Sequence, residues 1–303
     1  MENVWKRARR SLSATWSVYR SDIRSLDGTQ KWLILFLILL SAFMLLPLVY
    51  LFNHAFKPLH ELFLFPPTFF VNQPTGQNFK DLLSLTQNTF LPVTRFILNS
   101  VIVTVLATVG MVVLGSLCAY PLSKHPFPGR RTVFAAILLS LMIAVETMGI
   151  PRYVVVKELG IMNTYWGHIL PILALPVGVF LLKQFMDQVP DELIEAAKLD
   201  GAGELVVFRK IVLPIVTPAM ATITILAFQN AWSNAETSAL FMQDDSMKTL
   251  PFYVGTLTSN LANSVARQGV AAAASLIMFI PNLLIFIISQ RKVIATMAHS
   301  GIK

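Results

Sequence analysis

The sequence predicts an all-α integral membrane protein with six transmembrane helices and one long polar interruption. Three observations carry this expectation. Hydrophobic residues make up 55% of the 303 positions and charged residues only 13%, where soluble domains average about 25% charged. Six apolar runs are long enough, or nearly long enough, to cross a bilayer. Between the fourth and fifth runs lies a polar island, residues 186–214, that breaks this pattern.

Taken in order, residues 1–31 are basic, with Lys6, Arg7, Arg9 and Arg10 ahead of Trp16, Tyr19 and Ile23. That composition suits an interfacial helix on an anionic leaflet, or else a solvated basic tail. The apolar run that follows is too long for a signal peptide and has no small-residue cleavage site. Residues 32–56 are the first expected span, with Pro47 tolerated as a kink. Residues 57–95 contain Pro66-Pro67, which excludes a continuous helix. They read as an ordered outer loop with Phe63, Phe65, Phe69 and Phe70 at the interface. Residues 95–122 form the second span, whose Gly110, Gly115 and Ala119 permit close helix contact. A basic turn then leads to the third span at 132–148. Residues 150–164 read as a re-entrant connection, and 165–183 as a fourth span interrupted by Pro171 and Pro176. The fifth span runs from 211 to about 234, with Pro214 and Pro218 early. Residues 235–267 form a second outer loop, and 268–290 the sixth span. The domain reading is therefore a basic cytoplasmic segment at 1–31, one six-span domain at 32–290 and a cytoplasmic tail at 291–303.

Six spans place both termini on one side, and the distribution of basic residues decides which. Lys57, Lys80, Arg95, Arg152, Lys157, Lys248 and Arg267 fall on the side opposite the termini; the other 17 of the 24 Lys and Arg lie with the termini. Cytoplasmic loops carry the excess, so the termini and the polar island are expected in the cytoplasm. The same distribution accounts for the net charge of +8 without nucleic acid.

The island has its own local logic. Pro190 suits the first helical position, and Asp191 and Glu192 suit a helix N-terminus. Leu193, Ala196, Ala197 and Leu199 recur at helical spacing, and Gly201 is placed as a C-terminal stop. A helix of about 10 residues is marginal alone in water, so another surface has to hold it. The string Glu195-Ala196-Ala197, then Gly201 after Asp200, Ile211 and Leu213-Pro214 resembles the EAA–G–I–LP signature of permease subunits in binding-protein-dependent ABC importers. Residues 119–131 and 150–171 resemble that family's second cytoplasmic turn and its segment between spans three and four. The ending, with Gly301 and Lys303, resembles the maltose-type, sugar-transporting branch.

The resemblance implies a non-catalytic transport subunit for a sugar or oligosaccharide working by alternating access. The island would be the cytoplasmic coupling helix that sits in a cleft of the ATP-binding subunit, through Glu195, Ala196, Ala197, Asp200, Gly201, Leu213 and Pro214. It also implies partners: a second homologous permease, two ATP-binding subunits and an extracytoplasmic substrate-binding protein. Another solute, such as an amino acid, a polyamine or glycerol phosphate, and a membrane scaffold are the alternatives. One departure limits what carries over. Where that branch has Trp-Asn followed by an acidic residue, this chain reads Trp232-Ser233-Asn234-Ala235-Glu236.

Independent chemistry is absent from the sequence. It has no Walker-type glycine loop, no Gly-x-Ser-x-Gly and no paired metal-binding histidines, and its single Cys118 cannot form an intrachain disulfide. No cofactor is expected. Polar residues within spans are costly in lipid and mark either a pathway or interhelical contacts. Gln229, Asn230, Ser233 and Asn234 share helix faces, and Trp232 offers a flat apolar surface of the kind that stacks on sugar rings. These five are the candidate substrate pathway. His168, within an expected span, reads as a packing or interfacial histidine.

Overall fold

The computed structural model describes residues 27–66, 68–85, 92–261 and 268–300. The basic N-terminal cluster with Trp16, Tyr19 and Ile23 lies outside the described residues, as do Pro67, Arg267, Gly301 and Lys303. Among the described residues every regular element is helical. The chain divides into two compact units after Asn53.

The first unit contains most of α1 (Gly28–Ala55), which has Pro47 inside it. Its apolar residues, Trp32, Phe36 and Phe43 among them, are exposed and occupy every side, as in a helix whose surroundings are themselves apolar.

The second unit contains α2 (Leu59–Leu62), α3 (Gln77–Leu85), α4 (Val93–Lys124), α5 (Arg130–Ser140), α6 (Gly149–Glu158), α7 (Tyr165–Ile169), α8 (Pro176–Met186), α9 (Asp191–Leu199), α10 (Glu204–Val207), α11 (Leu213–Ile215), α12 (Thr217–Trp232), α13 (Glu236–Phe241), α14 (Leu250–Leu261) and α15 (Gln268–Ser300). Helix α1, helix α4 and the Gln268–Gln290 part of α15 are each long and apolar enough to cross a membrane. Three helix pairs reach that standard only together. They are Arg130–Ser140 with Val145–Glu158, bent by 104°, Tyr165–Ile172 with Pro176–Met186, bent by 48°, and Glu204–Ile215 with Thr217–Trp232, bent by 84°.

The bend at 140–145 corrects the sequence reading of 132–148 as one run, while the prolines already read as interrupting the fourth span or lying early in the fifth stand at the other two bends. Pro151 lies in the first turn of α6, where its missing N–H is harmless. The bend itself lies upstream of that proline, between Ser140 and Val145, and a 3₁₀ turn at Val145–Met148 leads from it into α6. Leu175 precedes Pro176 and is pushed out of the helical region, to φ −116°, ψ 83°; Pro176 then starts α8. At the third bend, Pro214 and Pro218 each lack an N–H. The chain before them widens into a π-helical turn, Phe208–Val212, and the Thr217 hydroxyl donates to the Leu213 carbonyl. The expected connection at 150–164 and the two expected outer loops also carry helices, α6, α2, α3, α13 and α14.

Helix α4 is the central post, packing against α8 and α12, with α12 in turn against α15. Its small residues act as expected: a Cβ on Gly110 would lie 2.5 Å from Leu173 Cδ2, and Ala119 is wholly buried. Its polarity is inverted relative to a soluble helix. Asn99, Ser100, Thr104 and Thr108 are buried, whereas Val101, Val105, Val109 and Val113 are exposed. Apolar residues face outward, Asn99 and Ser100 bond inward, and the buried hydroxyls of Thr104 and Thr108 have no partner among the described residues.

Those inward bonds pin the segment 243–249. Asn99 Nδ2 donates to the carbonyls of Ser246 and Lys248, both at 2.9 Å, and its Oδ1 accepts from the Tyr165 hydroxyl at 2.8 Å. The Leu250 N–H donates to Ser100 Oγ. His168 is satisfied as a packing histidine, with Nδ1 2.9 Å from Thr237 Oγ1 and Nε2 3.0 Å from the Met247 carbonyl. A carbonyl only accepts, so in the neutral ring Nε2 carries the proton and Nδ1 accepts from the threonine hydroxyl.

Asn99→Leu keeps the volume and removes all three bonds. A buried group left without its partner costs about 1–3 kcal/mol. The detergent-solubilised variant is expected to melt several degrees lower and to be cut by protease within 243–249. An unchanged melting curve would contradict the pinning role.

Candidate functional site

The polar island folds as its sequence dictates. Helix α9 starts after Pro190, with Asp191 and Glu192 in its first turn, where the helix dipole favours them. It ends in a Schellman motif. The Ala202 N–H donates to the Ala197 carbonyl at 2.9 Å and the Gly201 N–H to that of Lys198 at 3.0 Å. Gly201 has φ +82°, which a residue with a Cβ adopts only under strain.

Helix α9 has two apolar faces with different partners. Ile194 is buried, and Ala197 packs beside it against a core of Tyr120, Leu182, Met186, Val207, Phe208 and Val212. That core joins the ends of α4 and α8 to the π-helical turn. The other face is open: Leu193 is 46% exposed and Leu199 89%, and Ala196 between them is exposed too. Leu205 and Val206 on α10 extend this open apolar surface. Glu195 and Asp200 are exposed and make no side-chain bonds among the described residues. The sequence treated Ala196 and Ala197 as one small face; the structure separates them, with Ala197 turned to the chain's own core and Ala196 outward. Leu213 and Pro214 stand apart from α9, between the π-helical turn and the bend into α12.

Polar ties fix the island's orientation. Glu204 accepts from the Tyr120 hydroxyl at 2.8 Å and pairs with Lys198 at 2.6 Å and with His125 at 3.3 Å. Lys124 donates to the Val189 carbonyl and, at 2.7 Å, to Asp191. Ser123 donates to Asp187 at 2.7 Å, and Lys183 pairs with Asp187 at 2.6 Å. The Lys124 ammonium, bonded to Asp191, holds that carboxyl below the usual carboxylate range against a smaller opposing effect of desolvation. A lowered carboxyl pKa stabilises the fold above the ordinary value and ceases to do so as pH falls through the lowered one. With Asp191 75% exposed, solvent keeps that contribution small.

The second candidate region is the end of α12. Gln229, Asn230 and Ser233 are exposed, and Asn234 is half-buried. Trp232 is buried, donates from Nε1 to the Met278 carbonyl at 2.9 Å and stacks on Phe228 at 6.0 Å. In this conformation its ring fastens α12 to α15 and is not offered to a solute. Asn230 and Asn234 line a cavity of about 400 Å³ together with Ser140, Arg152, Glu236 and the two helix breaks at 140–145 and 171–177. A larger groove of about 710 Å³, between α4, α5 and α8, is lined almost wholly by apolar side chains and offers a polar solute few bonding groups. Sequence reasoning passed over Arg152, Glu204 and Glu236, whose partners lie 84 residues away in the chain.

Residues 111–293, more than half of the chain, match the family described as "Binding-protein-dependent transport system inner membrane component". The chain belongs to this family. It is 32% identical over 205 residues to the arabinooligosaccharides transport system permease protein AraQ of Halalkalibacterium halodurans, covering 68% of this chain and 72% of the relative. Identity is 28% over 270 residues to the trehalose transport system permease protein SugB of Mycobacterium tuberculosis, covering 88% and 94%. A solved chain of a bacterial ABC transporter involved in alginate import superposes with a TM-score of 0.73 at 20% identity, over 88% of this chain and 98% of that one; the two share a fold. The protein is thus a multi-pass membrane permease whose family works with a binding protein.

In this permease the Gly201 turn is open to solvent, with no atom within 4 Å of an added Cβ. Substitution therefore costs backbone strain alone, about 1–2 kcal/mol for alanine, less for asparagine and more for β-branched valine. The expected order of thermal stability is Gly, Asn, Ala, Val, with protease cleavage at 200–203 rising in the same order. Equal stability across the four would contradict the left-handed turn.

Proposed function

We propose that this chain forms half of the translocation pathway of an ATP-driven importer for a sugar or oligosaccharide, working by alternating access with a second, related permease. The observation that carries the reading is the open apolar face of α9, with Leu193, Ala196 and Leu199 uncovered on a helix whose opposite face is locked to its own core. In this reading α9 is the coupling helix and seats in a cleft of an ATP-binding subunit, one of two. Glu195 and Asp200 are available to cationic groups there. Gly201 turns the chain out of the cleft, and Leu213 and Pro214 set the bend through which the motion reaches α12. ATP hydrolysis belongs to that partner. The sugar class is supported by the arabinooligosaccharide and trehalose permeases among the relatives, and by a melibiose, raffinose and stachyose permease that is 32% identical.

The six-span reading takes each bent pair as one crossing and puts both termini and α9 in the cytoplasm, on the strength of the basic-residue asymmetry. The domain limits proposed remain 1–31, 32–290 and 291–303. Asn230 and Asn234, with Gln229 and Ser233 beside them, are assigned to the solute path. Trp232 joins that path only if α12 and α15 separate during the cycle. An extracytoplasmic binding protein delivers the solute.

Two measurements test this. Ala196→Trp is expected to fold and insert yet lose co-purification of the ATP-binding subunit and at least about tenfold of uptake, because the bulky ring meets the partner. Ala197→Trp is expected to lower the melting temperature as well, because it meets the chain's own core. Full association by Ala196→Trp would remove α9 as the docking helix. In a Cys118→Ser background, an impermeant thiol reagent applied outside is expected to label a cysteine at Gln73 or Asp244 and to spare one at Gly203; labelling at Gly203 would reverse the orientation.

A further inference from the structure

We infer that Arg152 and Glu236 form a charge-balanced subsite that takes the hydroxyl groups of one neutral glycosyl unit, so that the cavity favours neutral over acidic carbohydrate. The inference rests on the sugar reading above and deepens it.

Arg152 Nη1 donates to both Glu236 carboxylate oxygens at 3.2 Å, with side chains 23% and 33% exposed. The pair bridges α6 and α13, and both residues line the cavity of about 400 Å³ that also holds Asn230, Asn234 and Ser140. That volume is at the small end of ligand sites, which span roughly 300–1,000 Å³, and suits one sugar unit.

The bonding capacity is suited to a polyol. A guanidinium has five N–H donors, and among the described residues only Nη1 is engaged, so Nε and Nη2 can donate to hydroxyl oxygens. Glu236 retains lone pairs that accept from hydroxyl protons. Asn234 Oδ1 accepts from the Thr237 N–H, which leaves its amide nitrogen as a donor, and the Asn230 side chain has no bond among the described residues. Donors and acceptors thus alternate around one cavity, as a diol requires. A uronate carboxylate taking those same free donors would meet the Glu236 charge at close range. The two helix breaks in the wall give the cavity the discontinuous helices that transporters use at solute sites.

A tie between α6 and α13 is the competing role for the same ion pair, and the test separates the two. The complete importer, with its partner permease, ATP-binding subunits and binding protein, is reconstituted in proteoliposomes and supplied with radiolabelled maltotriose, raffinose or trehalose. The readout is sugar moved per ATP hydrolysed. Arg152→Lys keeps the charge and the tie but loses the planar fork; it and Glu236→Gln are expected to lower the ratio about tenfold, the size of one lost charged hydrogen bond. The exchange Arg152→Glu with Glu236→Arg rebuilds the tie with donors and acceptors transposed, and the ratio is expected to stay low. Recovery in the exchange variant, or an unchanged ratio in both single variants, overturns the inference in favour of a tie. Saturation-transfer NMR on the solubilised complex supplies the charge arm. The unmodified protein is expected to contact maltotriose and not trigalacturonate, and Glu236→Gln to gain contact with trigalacturonate. Equal contact by the unmodified protein overturns the neutral preference. If the unmodified importer moves none of the three neutral sugars and contacts neither trisaccharide, the sugar reading itself fails and takes this inference with it.

Discussion

The attachment of α9 to the membrane helices is the constraint on which the rest depends. A nine-residue helix has no stability of its own in water. Here Ile194 and Ala197 enter a core shared with α4, α8 and the π-helical turn. Burying one such aliphatic side chain is worth about 1.5–3 kcal/mol, whereas an exposed ion pair contributes about 0–1 kcal/mol. Apolar packing therefore holds the island, and the bonds around Glu204, Lys124 and Asp187 set its direction. In the proposed reading, a push on the open face of α9 reaches the ends of α4 and α8 and the π-helical turn together, as a coupling element requires.

The opposite end of the second unit follows a related economy. Lipid-facing positions on α4 are apolar, so specific contact is left to buried polar groups. Asn99, Ser100 and His168 direct their bonds to the backbone and side chains of 237–250, and the Tyr165 hydroxyl holds Asn99 in place. Where an irregular segment is buried against a helix its carbonyls need such partners, because no regular ladder takes them up. Two of the helix breaks line a cavity in which Asn230, Asn234, Arg152 and Glu236 meet.

Much of this was legible in the sequence, and the parts that were not have physical reasons. The start and stop of α9 were readable because capping and glycine turns are local. The small face of α4 was readable from glycine spacing. The reading of 132–148 as one run failed because hydropathy averages over a window and registers composition, while a break depends on the backbone of a few individual residues. Pro176 was visible, but its effect on Leu175 takes the chain out of line by geometry that no hydropathy measure contains. Trp232 was readable as a large aromatic near the path, but not as a pin, because its acceptor Met278 lies 46 residues away. The division of labour between Ala196 and Ala197 was equally hidden, since adjacent residues on a helix point about 100° apart and only the packed core says which one faces inward.

The central claim is that the open face of α9 is the seat of an ATP-binding subunit. Leu199 is the most exposed apolar residue on that face, at 89%. The most direct measurement replaces it with the photo-reactive residue p-benzoyl-phenylalanine in the assembled importer, irradiates membranes with and without ATP, and identifies the adduct by mass spectrometry. The account predicts a cross-link to the ATP-binding subunit in both states. An adduct with lipid or with the binding protein, and none with the ATP-binding subunit, would contradict it.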